Sequence, residues 1–410
     1  MRQACVWLVA CGLVGVAPWV WGDSLGLSTL SQIGVAVLAC LSFNLLLGQG
    51  GMLSFGHATY TGAGAFVAIH VLNAGVGAPW ALPLPLLPLV GGLAGMTLAA
   101  LLGWLCTRRP GTVFAMITLG LGELVYAAAL MLPQWFGGEA GISANRTLAP
   151  AWWGWTFGSA LQVYYLIAAY ALLCAAALYL LTFTPWGRLL NAVRDNPQRV
   201  ACIGFDPHRM RYQAFVVAGF FAGIAGALGA IHFETVNHEA LAASKSGAYL
   251  LFTTLGGSGA FMGPVLGGVL MVLCTVLLSG LTQAWLLYLG LLFVAVVLWV
   301  PGGLAGCFHT LWQWVRTGQL PQRLGLLVPL VPSAAAAGLG LVFLIEMVYH
   351  RQLAASVGPV LRFLGMQLDT SAPGTWTLAA AAGAVGACAL AVQWRRSAPR
   401  WQQIGDTHHG

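Results

Sequence analysis

The chain has 410 residues, of which 7% are charged and 59% hydrophobic, with a formal net charge of +7. An ordinary soluble domain carries about 25% charged residues, so a soluble fold is excluded. The basic residues are scattered at the ends of apolar runs and form no surface for nucleic acid.

Apolar runs long enough to cross a bilayer, about 20 residues each, recur along the chain. The short alternating segments of a transmembrane barrel are absent. The predicted class is all-α: a polytopic transmembrane helical bundle of about 10–11 spans with broken, glycine-rich helices. The first run, 4–21, follows Arg2, and Trp19 and Trp21 stand where a leader peptidase needs small residues. It reads as an N-terminal membrane helix. Further spans are expected at 27–47, 55–73, 80–105, 111–132, 161–183 and 212–231. A broken region over 247–281 follows, then spans at 284–303, 326–346 and 376–394.

Loop charge orients the bundle. With residues 184–211 in the cytoplasm, thirteen basic residues fall inside and four outside: Arg146, Lys245, Arg351 and Arg362. Both termini are then cytoplasmic. An odd number of crossings is needed between 232 and 304, so the short run 247–257 is expected to form a half-helix or a tilted, broken one. "WWGW" at 152–155 should mark the outer interface, and Trp312 and Trp314 the inner one. None of the nine cysteines forms a C-x-x-C pair, so neither a disulfide framework nor a zinc knuckle is expected.

Glycine numbers 54, about twice the usual share. Gly219, Gly223, Gly226 and Gly229 are expected to form one packing face. Two other clusters, "GQGGMLSFGHATYTGAGAF" at 48–66 and "LGGSGAFMGPVLGG" at 255–268, each interrupt an apolar run. Interrupted segments in corresponding halves often line a transport pathway. Asn44, Gln49, His57, Gly256 and Gly257 are therefore pathway candidates. Glu123 joins them, because an ionisable group at mid-membrane faces a cavity or a partner. Glu346, at the end of a later span, reads as interfacial. His232, Glu234, His238 and Glu239 lack metal-site spacing and read as a contact surface for an external partner. No metal is expected.

Residues 184–212, "TPWGRLLNAVRDNPQRVACIGFDPHRMRY", hold five arginines and three prolines. Thr184-Pro185, Asn196-Pro197 and Asp206-Pro207 each pair an N-cap residue with proline at the first helical position. Three helices should start there. The middle one should stop near Gly204 and is too short to persist alone in water. The result is a cytoplasmic elbow with a short cross-helix at its tip, suited to docking a partner.

This stretch resembles the cytoplasmic loop of ABC importer permeases, whose coupling helix seats in a groove of the ATP-hydrolysing subunit. Gln198, Arg199, Val200 and Ala201 fall near the family's Glu-Ala-Ala element, and Gly204 matches its glycine. The Glu-Ala-Ala letters themselves are not preserved. "NLLLGQGGMLSFGHATYTGAGAF", "RRPGTVFAMITLGLGELVY", "FGGEAGI" at 136–142, "TLGGSGAFMGPVLGG" and "VPGGLAG" at 300–306 resemble the branched-chain amino acid subfamily, of the LivM type. The resemblance covers 27–306. It divides the chain into an N-terminal helix, 1–26, a permease core, 27–306, and an extension, 307–410, with two further spans and a polar outer loop around 347–375.

The resemblance implies an inner-membrane permease subunit importing branched-chain or related amino acids, with urea and short amides within its range. It implies a second permease subunit, two P-loop ATPase subunits, one of them docked on the 197–204 helix, and a periplasmic binding protein. The coupling residues would be Arg194, Asp195, Asn196, Pro197, Gln198, Arg199, Ala201 and Gly204. No catalytic residue or cofactor is expected on this chain. Its one lysine, in "ASKSG", fails the P-loop pattern, so ATP and magnesium would belong to the partners. The alternative is an ion-gradient-driven secondary transporter of a small polar solute. That would need paired intramembrane carboxylates, and Glu123 alone is clearly deep.

Overall fold

The computed structural model describes residues 2–152, 154–282, 284–300, 302–317, 330–353, 360–363, 366–369 and 373–406. Trp153, Arg323 and much of the expected 347–375 loop lie outside them. The described chain is helical almost throughout, as the composition predicts. Seven helical stretches are long and apolar enough to cross a bilayer: Ser24–Gln49, Leu84–Cys106, Thr112–Met131, Ala160–Phe183, Pro207–Phe233, Val331–Gln352 and Gly374–Gln393.

The remaining expected spans take other forms. The first is helix α1, Arg2–Val20. Helix α2, Ser24–Asn44, runs on as a π-helical turn over Leu45–Gln49. Helix α3, His57–Gly75, carries His57, Thr59, Thr61, His70 and Asn73 and is too polar for lipid; thirteen of its nineteen residues are buried. The expected span 284–303 is α14, Trp285–Trp299, followed by a separate helix α15, Gly303–Arg316. The two axes are bent by 52°.

The chain divides into two compact units. The first is Met1–Leu277 with Leu292–Cys307. Its centre is α10, Pro207–Phe233, packed against α2, α3 and α4, Leu87–Cys106. Most of α10 is buried, whereas α5, Thr112–Met131, buries little. The glycines of α10 serve three neighbours, not the single face expected. Gly219 and Gly223 lie against the backbone of Gly95 and Gly91 on α4, Gly226 against Thr61 on α3, and Gly229 near Val35 on α2. An extra methyl at Gly226 would collide with the Thr61 carbonyl oxygen. Close backbone approach of this kind is how helices associate where lipid removes the hydrophobic drive.

Beyond α5 come a single turn α6, Pro133–Phe136, and strand β1, Ile142–Ser143. β1 pairs antiparallel with β2, Thr235–Val236, at the far end of α10. Helix α7, Ala160–Phe183, leads back to the arginine-rich stretch. After β2, α11, Ala243–Gly256, and α12, Met262–Val272, follow, then a π-helical stretch Leu273–Leu278 and the short α13, Ser279–Leu281.

The second unit is Leu278–Leu291 with Phe308–Gly410. Helices α16, Leu330–Leu353, and α17, Pro373–Asp406, pack tightly where Gly340 meets Gly383 and Gly386 meets Ala337. Strands β3, Val360–Phe363, and β4, Met366–Asp369, pair antiparallel within the expected outer loop. Glu346, expected at the membrane interface, lies on α16 with its side chain turned inward. It is 7% exposed, and its Oε1 accepts from the hydroxyls of Thr282 and Tyr288. A buried carboxylate persists where hydroxyl donors replace its water.

Candidate functional site: an elbow beneath two broken helices

The elbow forms from local chemistry. Helix α8 is Pro185–Asp195, α9 is Pro197–Cys202, and α10 begins at Pro207. Each start is capped as expected. Thr184 Oγ1 accepts from the Gly187 amide at 3.2 Å, Asn196 Oδ1 from the Arg199 amide at 3.0 Å, and Asp206 Oδ1 from the His208 amide at 2.9 Å. Proline at the next position loses nothing, since its missing N–H would have had no helical partner. Helix α9 ends in a Schellman stop. Gly204 turns left-handed at φ 89°, its amide donates to Ala201 at 3.0 Å, and the Phe205 amide donates to Val200 at 3.3 Å.

One residue anchors this short helix. Val200 is buried against Val193 of α8 and Met210 of α10, with Trp186, Leu189 and Ala192 around them. Everything else on the tip faces outward: Gln198, Arg199, Ala201, Cys202, and the apolar Ile203 and Phe205, 65% and 47% exposed. Asp195 and Asn196 are also exposed, and Pro197 is half-buried.

Arg194 departs from its neighbours. Its side chain is 39% exposed, but its guanidinium turns back toward the bundle and donates through Nη1 to the Gly48 carbonyl in the π-helical turn of α2. Its Nε donates to Asp195 Oδ1 at 3.0 Å. The alkyl stem lies over Gly51, where a Cβ would come within 2.6 Å of Arg194 Cγ.

The two glycine clusters meet beside this contact. Helices α11 and α12 form an antiparallel hairpin, with Gly263 against Gly256 and Gly257, and Gly267 against Phe252. Gly257 takes φ 105° at the turn. The hairpin lies along α2, placing Gly268 on Val37 and the Ser258 carbonyl against Gly48. Asn44 Oδ1 reaches the same glycine, and Gln49 is half-buried next to it. The structure thus brings Asn44, Gln49, Gly256 and Gly257 into one region.

His57 is fully buried one step further in. It shares a 2.8 Å hydrogen bond with Ser42 and is walled by Phe43, Tyr60 and Tyr249. The start of α3 is capped from outside, by Ser246 Oγ of α11, which accepts from the Ala58 amide at 2.8 Å. Among the described residues, Asn44 Oδ1, Ser54 Oγ, His57 Nδ1 and Thr59 Oγ1 are buried without a hydrogen-bond partner. Glu123 is not part of this region. It lies on the exposed stripe of α5 with Met116, Gly120, Leu124, Ala127 and Met131.

At the far end of α10 stands Arg146, whose role no local pattern signals. Its guanidinium donates to the carbonyls of Phe157, Gly158, Ile231 and His232, so it caps the C-terminus of α10. It pairs with Glu234 at 3.5 Å, itself left-handed at φ 57°. His232 bonds Ser28, and Asn237 bonds Glu239. Among the described residues no three His, Cys, Asp or Glu side chains gather as a metal site would require.

A membrane bundle whose interrupted helices meet at its core, above a capped and exposed elbow, has the build of a transport permease. The chain belongs to the family described as "Branched-chain amino acid transport system / permease component", whose profile matches residues 26–300. It is 29% identical over 323 residues to the high-affinity branched-chain amino acid transport system permease protein LivM of Escherichia coli (strain K12), covering 73% of this chain and 74% of LivM. It is 33% identical over 219 residues to the autoinducer 2 import system permease protein LsrC of Escherichia coli O9:H4, covering 50% and 58%. To the fructose import permease protein FrcC of Rhizobium meliloti it is 27% identical over 231 residues, covering 51% and 62%. No solved structure matches it significantly.

Proposed function

We propose that this chain is the membrane subunit of an ATP-binding cassette importer that carries branched-chain or related amino acids inward, energised by separate ATPase subunits. The observation that carries the reading is α9. A six-residue helix, capped at both ends and pinned by Val200, holds an apolar tip of Ile203 and Phe205 in the open beside Arg199 and Gln198. A helix this short is marginal in water, and an exposed apolar tip with a basic rim suits a protein groove.

The other partners follow the same logic. An ionisable residue facing lipid is costly, about 2.5–3.5 kcal/mol at mid-membrane on insertion scales. The Glu123 stripe of α5 is therefore assigned to the second permease subunit and the pathway between the two. The far-end surface around Glu139, Glu234 and Glu239 is assigned to a periplasmic binding protein. ATP and magnesium reside on the ATPases. Loop charge places α9 and both termini in the cytoplasm of an inner-membrane protein. LivM is named for branched-chain amino acids, whereas LsrC and FrcC are named for autoinducer 2 and fructose. The cargo class therefore rests on the LivM likeness, with urea and short amides as the nearest variants.

Reconstitution tests the reading. The chain is purified from its host in mild detergent, its companions identified by mass spectrometry, and uptake of labelled leucine measured in liposomes. Co-purifying P-loop ATPases and uptake that needs ATP are expected. Uptake by this chain alone, driven by a proton or sodium gradient, would move the assignment to a secondary carrier.

A further inference from the structure

The last carbonyls of a helix need partners from elsewhere. At the end of α2 they can be accounted for one by one. The Met52 amide donates to Leu46 at 2.9 Å and the Gly51 amide to Leu47 at 3.1 Å. Gly48 receives the Arg194 guanidinium. The cap of this π-helical turn is thus supplied by α8, 146 residues further along the chain. On its other side the same glycine touches the Ser258 carbonyl at the turn between α11 and α12. One peptide is therefore in contact with the elbow and with both interrupted helices.

Gly51 is left-handed at φ 64° and lies under the Arg194 stem, while Asp195 fixes Nε from the outer side. Converting one π turn to an α turn would advance the following chain by about one residue, about 1.5 Å along the axis and about 100° around it. That residue step would fall on Gln49 and Gly50, beside Ser258.

We propose that Arg194 is the positioning residue through which movement of α9 reaches both broken helices, with the π-helical Leu45–Gln49 turn as the element it switches. This rests on the reading of α9 as the ATPase dock. It makes Arg194, whose side chain stays 39% exposed, a strut between α8 and the end of α2 and not a docking contact. A lysine would carry the charge without the planar fork that holds a carbonyl and a carboxylate together.

The test uses the reconstituted importer with its ATPases and binding protein, comparing Arg194→Met, Arg194→Lys and Phe205→Ala. Arg194→Met should leave ATPase binding unchanged and hydrolysis running. Amino acid taken up per ATP should fall about tenfold, within the usual range for coupling between sites. Amide exchange at Gly51 and Met52 should accelerate. Arg194→Lys should fall between. Loss of ATPase binding in Arg194→Met would make Arg194 a docking residue and overturn the proposal, as would unchanged uptake per ATP. Phe205→Ala keeps the two readings apart: if it leaves ATPase binding intact, the docking assignment of α9 fails whatever Arg194 does. Should Arg194→Met not fold, Gly51→Asn, which tolerates the left-handed backbone while its Cβ displaces the stem, must give the same uncoupling, or the proposal is wrong.

Discussion

Phe205 offers the sharpest measure of the dock. It is 47% exposed just beyond the Schellman stop, so roughly half its surface is free for a partner. Burying a phenylalanine takes about 150–250 Å² from water, so covering the free half removes about 100 Å². At about 25 cal/mol per Å² that is worth about 2.5 kcal/mol. Phe205→Ala keeps Cβ, so its cost should be about 2 kcal/mol, roughly 30-fold in Kd. The assay is titration of labelled ATPase subunit against detergent-solubilised permease, read by fluorescence anisotropy. Phe233→Ala is the control. Phe233 is 56% exposed at the opposite end of α10, and its loss should leave Kd alone. A change below about threefold for Phe205→Ala, against the roughly 30-fold expected from area, would refute the reasoning, as would an equal effect of Phe233→Ala.

Asn196→Ala removes the acceptor for the Arg199 amide. It should cost about 1 kcal/mol of α9, seen as faster amide exchange at Arg199, while Asn196→Asp should behave as wild type. Gly226→Ala should abolish the folded monodisperse species in size-exclusion chromatography, because its methyl would meet the Thr61 carbonyl. Gly229→Ala, whose nearest neighbour would be Val35 at 3.5 Å, should fold normally. Glu346→Ala strands the hydroxyls of Thr282 and Tyr288, and hydrogen bonds to a charged group are worth about 1.5–3 kcal/mol each. The thermal midpoint should fall clearly, and less for Glu346→Gln, which keeps an acceptor oxygen. Glu123→Gln should preserve ATP-driven uptake; its loss would favour a proton-coupled carrier.

What sequence could read at the elbow was what a few consecutive residues decide. Thr-Pro, Asn-Pro and Asp-Pro fix a cap and a first turn with no help from the rest of the chain, and all three caps form. Gly204 stops α9 for an equally local reason. Arg194 also reaches Gly48 on a distant element, a contact that no local pattern shows. Gly187, Leu190 and Val193 are the buried positions of α8, and Arg194 stands at the edge of that face with its side chain 39% exposed. Arg146 and Glu346 carried no local signal either. Their partners lie on separate elements, and only tertiary contact identifies them.

The expected half-helix over 247–257 shows how far composition reaches. Gly62 on α3 touches Leu241 and Ala240, and Ser246 caps the start of α3, so α11 begins inside the bundle, beside the middle and start of α3. It ends where Ser258 meets Gly48, at the elbow end. Its 14 residues rise about 21 Å, short of the roughly 30 Å hydrocarbon core. The difference is made up by the stretch between β2 and α11, a 3₁₀ turn over His238–Leu241 flanked by non-helical residues, which enters the bundle from the far end. Non-helical backbone survives at membrane depth only where protein buries it or a cavity hydrates it. Leu241 and Val236 are buried here, so the surrounding helices perform the burial. The glycines of α3, α10 and the α11–α12 hairpin are what let those helices come close enough to do so. The glycine excess and the broken helices therefore have one physical cause.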